Sequence, residues 1–324
     1  MIADVGYIGH GLRRPESVLT HSSGDIFCSH NGHGVTRIRA DGQQFLLAQP
    51  TKIGGVPILP NGIALRPDGS FLVANISDAG GLLELDADGV RMFHTCTDGD
   101  TPPPVNFVTQ DQTGRIWITV SSYSPRSLAY NRHTANGYVA VIEDGQFRVV
   151  LEGLAYTNEV RPDYKGGWLY IAETMAQRIS RIRLDEAGLH GAPEVFKQMP
   201  RGAFVDGIDI DEEGGVLAAC IISSELIRID PDGGLSVIMG ERHNDWVDEV
   251  ETAFDAGNMG RPHLDTSPTK KLRNIASVAF YGPQRDRIVC GNLLDDKLPT
   301  CAAPVPGREP SHWFADRPTW GDAF

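Results

Sequence analysis

The hydrophobic positions of this chain fall in short runs separated by glycine-containing turns, and one arrangement repeats six times. The turns are Ser23-Gly24-Asp25, Asp68-Gly69-Ser70, Thr113-Gly114-Arg115, Gly166-Gly167-Trp168, Glu213-Gly214-Gly215 and Tyr281-Gly282-Pro283, at spacings of 45, 45, 53, 47 and 68 residues. Behind each comes an apolar run of strand character, such as Ile26-Phe27-Cys28, Phe71-Leu72-Val73 or Ile116-Trp117-Ile118. Further runs follow, often closing on the hairpin dipeptides Asp41-Gly42, Asp88-Gly89, Asp144-Gly145 and Asp232-Gly233. Six units of about four short strands predict an all-β, six-bladed propeller spanning residues 1–324 as one domain. A sandwich has no need of six equivalent copies, and a doubly wound α/β fold needs long helical patterns that are absent here.

Two units are stretched. The third carries an extra loop, 121–136, and the fifth is followed by a connection of about 240–273 ahead of the last blade. Within that connection Asn244 or Asp245 is placed to cap a helix, Trp246, Val250 and Phe254 repeat at i, i+4, i+8, and Gly257 stops it. This predicts a short amphipathic helix docked on the propeller, as a cover for strand ends or as a lid.

Eight residues before the turn glycines Gly24, Gly69, Gly114, Gly166, Gly214 and Gly282 stand Glu16, Asn61, Asn106, Asn158, Asp206 and Asn274. All six units thus begin their first strand on an oxygen-bearing side chain. First strands line the central channel of a propeller, so these side chains are expected to converge at one mouth. Hydrogen bonding to channel water accounts for asparagines there, but not for two carboxylates, which repel and are costly to bury unpaired. A cation removes that cost. A set of oxygens without His or Cys suits Ca2+ first and Mg2+ or Mn2+ second, with Zn2+ disfavoured by ligand type.

Strand order then places the loops after the second strands, and the 240–273 connection, around the same mouth. Glu173, Arg126, Tyr130 and His263, with His30, His33 and Asp265, are therefore candidates for substrate contact alongside Asn61, Asn106 and Asn274.

Composition narrows the functional classes. A formal charge of −13 argues against nucleic acid and against anionic membrane surfaces as partners. No segment has the length of a membrane span, and the start lacks the basic and apolar regions of a secretory leader. Among the five cysteines, Cys28, Cys220 and Cys290 lie in apolar runs as core thiols. A cytoplasmic protein acting on a small molecule is expected; oligomeric state is left open.

The segments Arg14-Pro15-Glu16-Ser17, Tyr156-Thr157-Asn158-Glu159, Leu169-Tyr170-Ile171-Ala172-Glu173 and Val205-Asp206-Gly207-Ile208 resemble, in order, those of the SMP-30/gluconolactonase/LRE family of calcium-dependent propellers. The resemblance covers nearly the whole chain. It implies metal-ligand positions at Glu16, Asn158 and Asp206, and a metal- or substrate-binding role for Asn106. It also implies a metal-dependent hydrolase of a lactone or related ester, in which the metal polarises the carbonyl and Asp206 or Glu16 activates water. Sugar lactonases of the family carry an Arg two residues before the third-blade Asn and an Asp after it. Here these are Pro104 and Phe107, so a sugar-acid lactone is not implied and a less polar substrate is expected. The rival readings are a metal-dependent propeller of another reaction type (phosphoester hydrolysis, isomerisation or condensation) and a non-catalytic interaction platform.

Overall fold

A computed structural model describes residues 4–97 and 99–324. The six turn glycines Gly24, Gly69, Gly114, Gly167, Gly214 and Gly282 all adopt left-handed φ between +73° and +90°, a region open to glycine without a Cβ penalty. Each is followed by a second strand buried along most of its length, such as Ile26–His30, Phe71–Asn75 and Ile116–Val120. These strands read as continuous apolar runs because every blade is sandwiched between two others.

Around the channel the innermost strands are Val18–Thr20, Pro60–Leu65, Phe107–Gln110, Thr157–Asp163, Val205–Ile210 and Ile275–Tyr281. Each leads outward through an antiparallel meander, which makes a six-bladed β-propeller with four-stranded blades. The sixth blade has only three strands of its own; its outermost strand is Gly6–Ile8 from the other end of the chain, with Gly6 opposite Thr300 and Ile8 opposite Leu298. Asp322–Ala323 adds a fifth strand to the first blade, against Phe45 and Leu46.

The core is divided among the joints between blades. Phe27 and Phe71 meet edge to face at 5.2 Å between the first two blades. Leu72, Val108 and Ile118 fill the next joint, Trp117 and Leu169 the one after. Ala172 and Ile208 fill the fourth joint, Leu217 and Val278 the fifth, and Val18 and Val289 the last.

The helix forms at Asn244–Asp255, with His243 at the capping position and no side-chain cap, and Gly257 ends it at φ +71°. Its buried face is Val247, Val250, Glu251 and Phe254, while Trp246 is only half-buried. The face is thus turned from the expected one because Glu251 is drawn inward. Its carboxylate accepts hydrogen bonds from the Gln177 amide and the Gly202 backbone N–H. A second short helix, Arg261–Leu264, completes the connection.

Candidate functional site at the channel mouth

Glu16, Asn106, Asn158 and Asp206 line one small cavity at the mouth of the channel, together with Arg14, Arg126, Tyr156, Thr174, Met175, Ile221, Arg261, Leu264 and Leu293. Its volume is about 20 Å³, which is room for one water-sized body.

Backbone irregularity aims the side chains. Register breaks of the β-bulge kind fall between Pro60 and Ile63, Thr157 and Val160, Val205 and Ile208, and Ile275 and Ser277. Asn61, Asn158 and Asp206 sit inside these bulges, where a strand can redirect a side chain. Gly207 is required by close approach, since a Cβ there would stand 2.5 Å from the Ala276 carbonyl oxygen. Inter-blade hydrogen bonds hold the ring of strand starts together. Gly62 N–H donates to the Asn106 carbonyl (3.0 Å), Thr174 Oγ1 to the Val205 carbonyl (2.8 Å), Thr119 Oγ1 to the Asn158 carbonyl and Ser277 Oγ to the Glu16 carbonyl.

The chemistry of the mouth is more cationic than its anchoring carboxylates suggest. Arg14 Nη2 lies 2.6 Å from Glu16 Oε2, and Arg14 Nη1 donates to Asn61 Oδ1 at 3.0 Å. Asn61 Nδ2 in turn donates to the Asn106 carbonyl (3.0 Å) and side-chain oxygen, and Asn106 Nδ2 donates to Ser121 Oγ at 2.6 Å. Glu16 Oε2 is buried and lacks a hydrogen bond of good geometry despite its ion pair. Asn158 Nδ2 donates to Asp206 Oδ1 and to Thr174 Oγ1. Burial, then the charges of Glu16 and Glu159, push the Asp206 carboxyl well above the usual carboxylate range, against the pull of Arg14 and Arg126.

Arg126 Nε and Nη2 both donate to the Tyr156 hydroxyl, at 3.2 and 3.1 Å. Burial opposes its charge, but Tyr156, Tyr130 and Glu16 outweigh this and raise its pKa. Burial likewise pushes the Tyr156 phenol up. Arg261 enters from the connection, paired with Asp265 through Nη2 at 2.8 Å. Arg14 and Tyr156 both hold left-handed φ, +50° and +59°, a strained conformation for bulky residues that concentrates at functional sites.

Of the residues expected at the mouth, Glu16, Asn106, Asn158, Asp206 and Arg126 line the cavity, and Asn61 stands one hydrogen bond behind it. Tyr130 packs on Tyr156, ring centres 5.4 Å apart. The others are placed elsewhere. Glu173 is fully buried between blade strands, where it accepts hydrogen bonds from Arg178, Ser180 and the Ala155 N–H. Asn274, also fully buried, donates to the Leu264 and Thr266 carbonyls at 2.9 and 3.3 Å and so ties down the connection. His263 Nδ1 accepts from the Gly260 N–H at 3.1 Å. Glu159, adjacent to Asn158, faces Arg161 at 3.0 Å and accepts from the Ile208 N–H rather than reaching the cavity.

The cavity lining also adds Arg14 and Arg261, to which sequence reasoning gave no role. Arg14 had one local signal, its place in the segment that carries Glu16; Arg261 had none. Three guanidinium groups stand on the lining, so the cavity is strongly charged.

A larger cavity of about 380 Å³ lies at the opposite mouth, beneath the segment 308–312. Its acids are mostly engaged. Asp111 accepts from Trp117 Nε1 (2.7 Å) and Tyr164 Oη (2.6 Å), and Asp163 pairs with Arg308. None of the six aligned strand-start residues lines it.

A divalent ion is compatible with the small cavity. Glu16, Asn106, Asn158 and Asp206 bring oxygen donors, the cavity's size admits one ion, Arg126 and Arg261 on the lining oppose a cation, and Glu16 Oε2 is held only by its ion pair with Arg14. Arg14 is the one competitor for that oxygen.

Comparison with known proteins agrees with the fold. The family described as SMP-30/Gluconolactonase/LRE-like region matches residues 15–240. No curated protein matches the chain at a significant level. Similar solved structures include a calcium-binding regucalcin from Agrobacterium tumefaciens (18% identity, 94% of this chain and 96% of that one, TM-score 0.65). A gluconolactonase from Xanthomonas campestris shares 16% identity over 93% and 90% of the two chains, TM-score 0.66. A luciferin-regenerating enzyme shares 12% identity over 97% and 100%, TM-score 0.66. At such identities the likeness to these structures establishes the fold. Among the described residues no helix is long and apolar enough to cross a membrane.

Proposed function

The chain belongs to the SMP-30/gluconolactonase/LRE-like family, and from that premise we propose that it is a calcium-dependent hydrolase of a lactone or related ester. The observation that carries this reading is the convergence of Glu16, Asn106, Asn158 and Asp206 on one ion-sized cavity. These four residues would hold the ion, with calcium favoured by their hard oxygens. Bound there, calcium supplies Lewis-acid polarisation of a carbonyl oxygen.

The remaining work falls to the chain itself. Asp206 is the base: its carboxylate lies on the cavity wall, where it would take the proton of an attacking water. Asn158, donating to Asp206 Oδ1, orients that carboxylate. Leu264, Leu293, Ile221 and Met175 close the apolar side of the cavity and exclude bulk water. Free, buried thiols at Cys28, Cys96, Cys220, Cys290 and Cys301 fit a reducing, cytoplasmic setting.

Elemental analysis of protein purified without added metal, then hydrolysis of a lactone and ester panel with and without EDTA, tests the proposal. About one calcium per chain and EDTA-sensitive hydrolysis are expected. Absence of measurable calcium affinity defeats the site assignment, and hydrolysis indifferent to EDTA defeats the metal-dependent mechanism.

A further inference from the structure

We infer that the substrate carries a carboxylate, and that Arg126 is the residue that binds it. This rests on the hydrolase reading of the same site and names its substrate class. The three guanidinium groups at the mouth are not equivalent. Arg14 is paired with Glu16 at 2.6 Å and bonded to Asn61. Arg261 is paired with Asp265 at 2.8 Å. Arg126 has no carboxylate within ion-pair distance among the described residues, and its hydrogen bonds there go only to the neutral Tyr156 hydroxyl, through Nε and Nη2. Arg126 lines the cavity, and among the described residues its Nη1 donates no hydrogen bond.

An enclosed cation without a counter-ion is costly, and a hydrogen-bonded anion removes that cost. Guanidinium presents a planar fork that matches a carboxylate. Arg126 comes from the extended third-blade loop at a short helical turn, Arg126–Leu128, and Tyr156, which accepts its hydrogen bonds, packs on Tyr130. Arg14 and Arg261 stand on the same lining, each already paired with its own carboxylate. With the connection closed the cavity admits one water-sized body. A carboxylate-bearing ligand is larger than this, so binding it requires the Arg261–Leu264 turn on the lining to give way.

Two measurements test this. Calorimetry on the calcium-loaded protein compares glutarate with glutaramide, its uncharged analogue. Glutarate alone should bind, Arg126→Gln should weaken it by about 30-fold or more, and Arg126→Lys should recover part of the loss. Kinetics then compare 5-oxotetrahydrofuran-2-carboxylate with its carboxamide. The wild type should prefer the acid in kcat/KM, chiefly through KM, and Arg126→Gln should shrink that preference at least tenfold.

Equal binding of glutarate and glutaramide, no binding of either, or glutarate affinity unchanged in Arg126→Gln overturns the inference. So does Arg126-dependent glutarate binding without any acid-over-amide preference, because Arg126 would then grip only the product. If neither lactone is hydrolysed yet glutarate binding depends on Arg126, the hydrolase reading fails and the anion site stands.

Discussion

Replacing Asp209 by Asn should make the protein more stable at neutral pH while leaving it unchanged in acid. Asp209 sits on the fifth blade's inner strand at the far cavity. Its carboxylate accepts from the Ile210 N–H at 2.9 Å and from the Phe280 N–H, and Arg161 Nε is 3.8 Å away. Burial outweighs these favourable neighbours and pushes its pKa up from 3.8 to about 6. In the unfolded chain it ionises near pH 4. Between those two values the folded state holds the proton and the unfolded state does not, so stability falls as pH rises through the window. Above it the full cost is present, at most about 3 kcal/mol.

Asparagine mimics the protonated acid in shape and keeps the acceptor oxygen. The variant should therefore match the parent below pH 4 and gain progressively, by at most about 3 kcal/mol, up to pH 7. Urea unfolding of both proteins in chelator, in steps from pH 3.8 to 7.5, reads this as a difference. His312, whose ring burial holds neutral with a pKa of about 4, contributes to both proteins and cancels. A stability difference that stays constant across the range would refute the argument, because Asp209 would then be ionised throughout.

Asp206→Asn should still bind calcium, more weakly, and lose roughly 10²–10⁴-fold in turnover at saturating metal if Asp206 is the base; recovery of activity with excess calcium would reduce it to a ligand. Asn274→Ala removes the two hydrogen bonds to the Leu264 and Thr266 carbonyls, worth roughly 1–3 kcal/mol locally. Limited proteolysis within 264–273 should accelerate while calcium content is unchanged, and an unaltered cleavage rate would show that the connection is anchored by its helix alone.

What was legible in the sequence is what local geometry demands. A tight turn between strands needs left-handed φ, so Gly24, Gly69, Gly114 and Gly214 announce their blades, and a channel-lining station repeats its polarity in register with them. What was not legible depends on distant partners. Glu173 has the composition of a mouth residue, but Arg178 and Ser180 on the adjacent strand capture it in the blade. Asn274 shares the station of Asp206, yet its φ of +60° turns the amide toward the connection. Arg14 crosses to the second blade's Asn61, a contact to which residue spacing contributes nothing. The helix presents Val247 rather than Trp246 because the buried Glu251 fixes its rotation.

The pairing of Gly6–Ile8 with Leu298–Thr300 sets a clock on biosynthesis. The second of these segments leaves the ribosome nearly three hundred residues after the first. Until then five blades can form in sequence, each stacking on its predecessor, but the circle remains an open horseshoe with an unsatisfied edge at either end. Closing it is a long-range event, slow by the entropy of joining distant segments. The mouth straddles that last gap, since Glu16 follows the early segment and Leu293 precedes the late one. Nascent chains should therefore complete the channel mouth in a single late step, when the horseshoe becomes a ring.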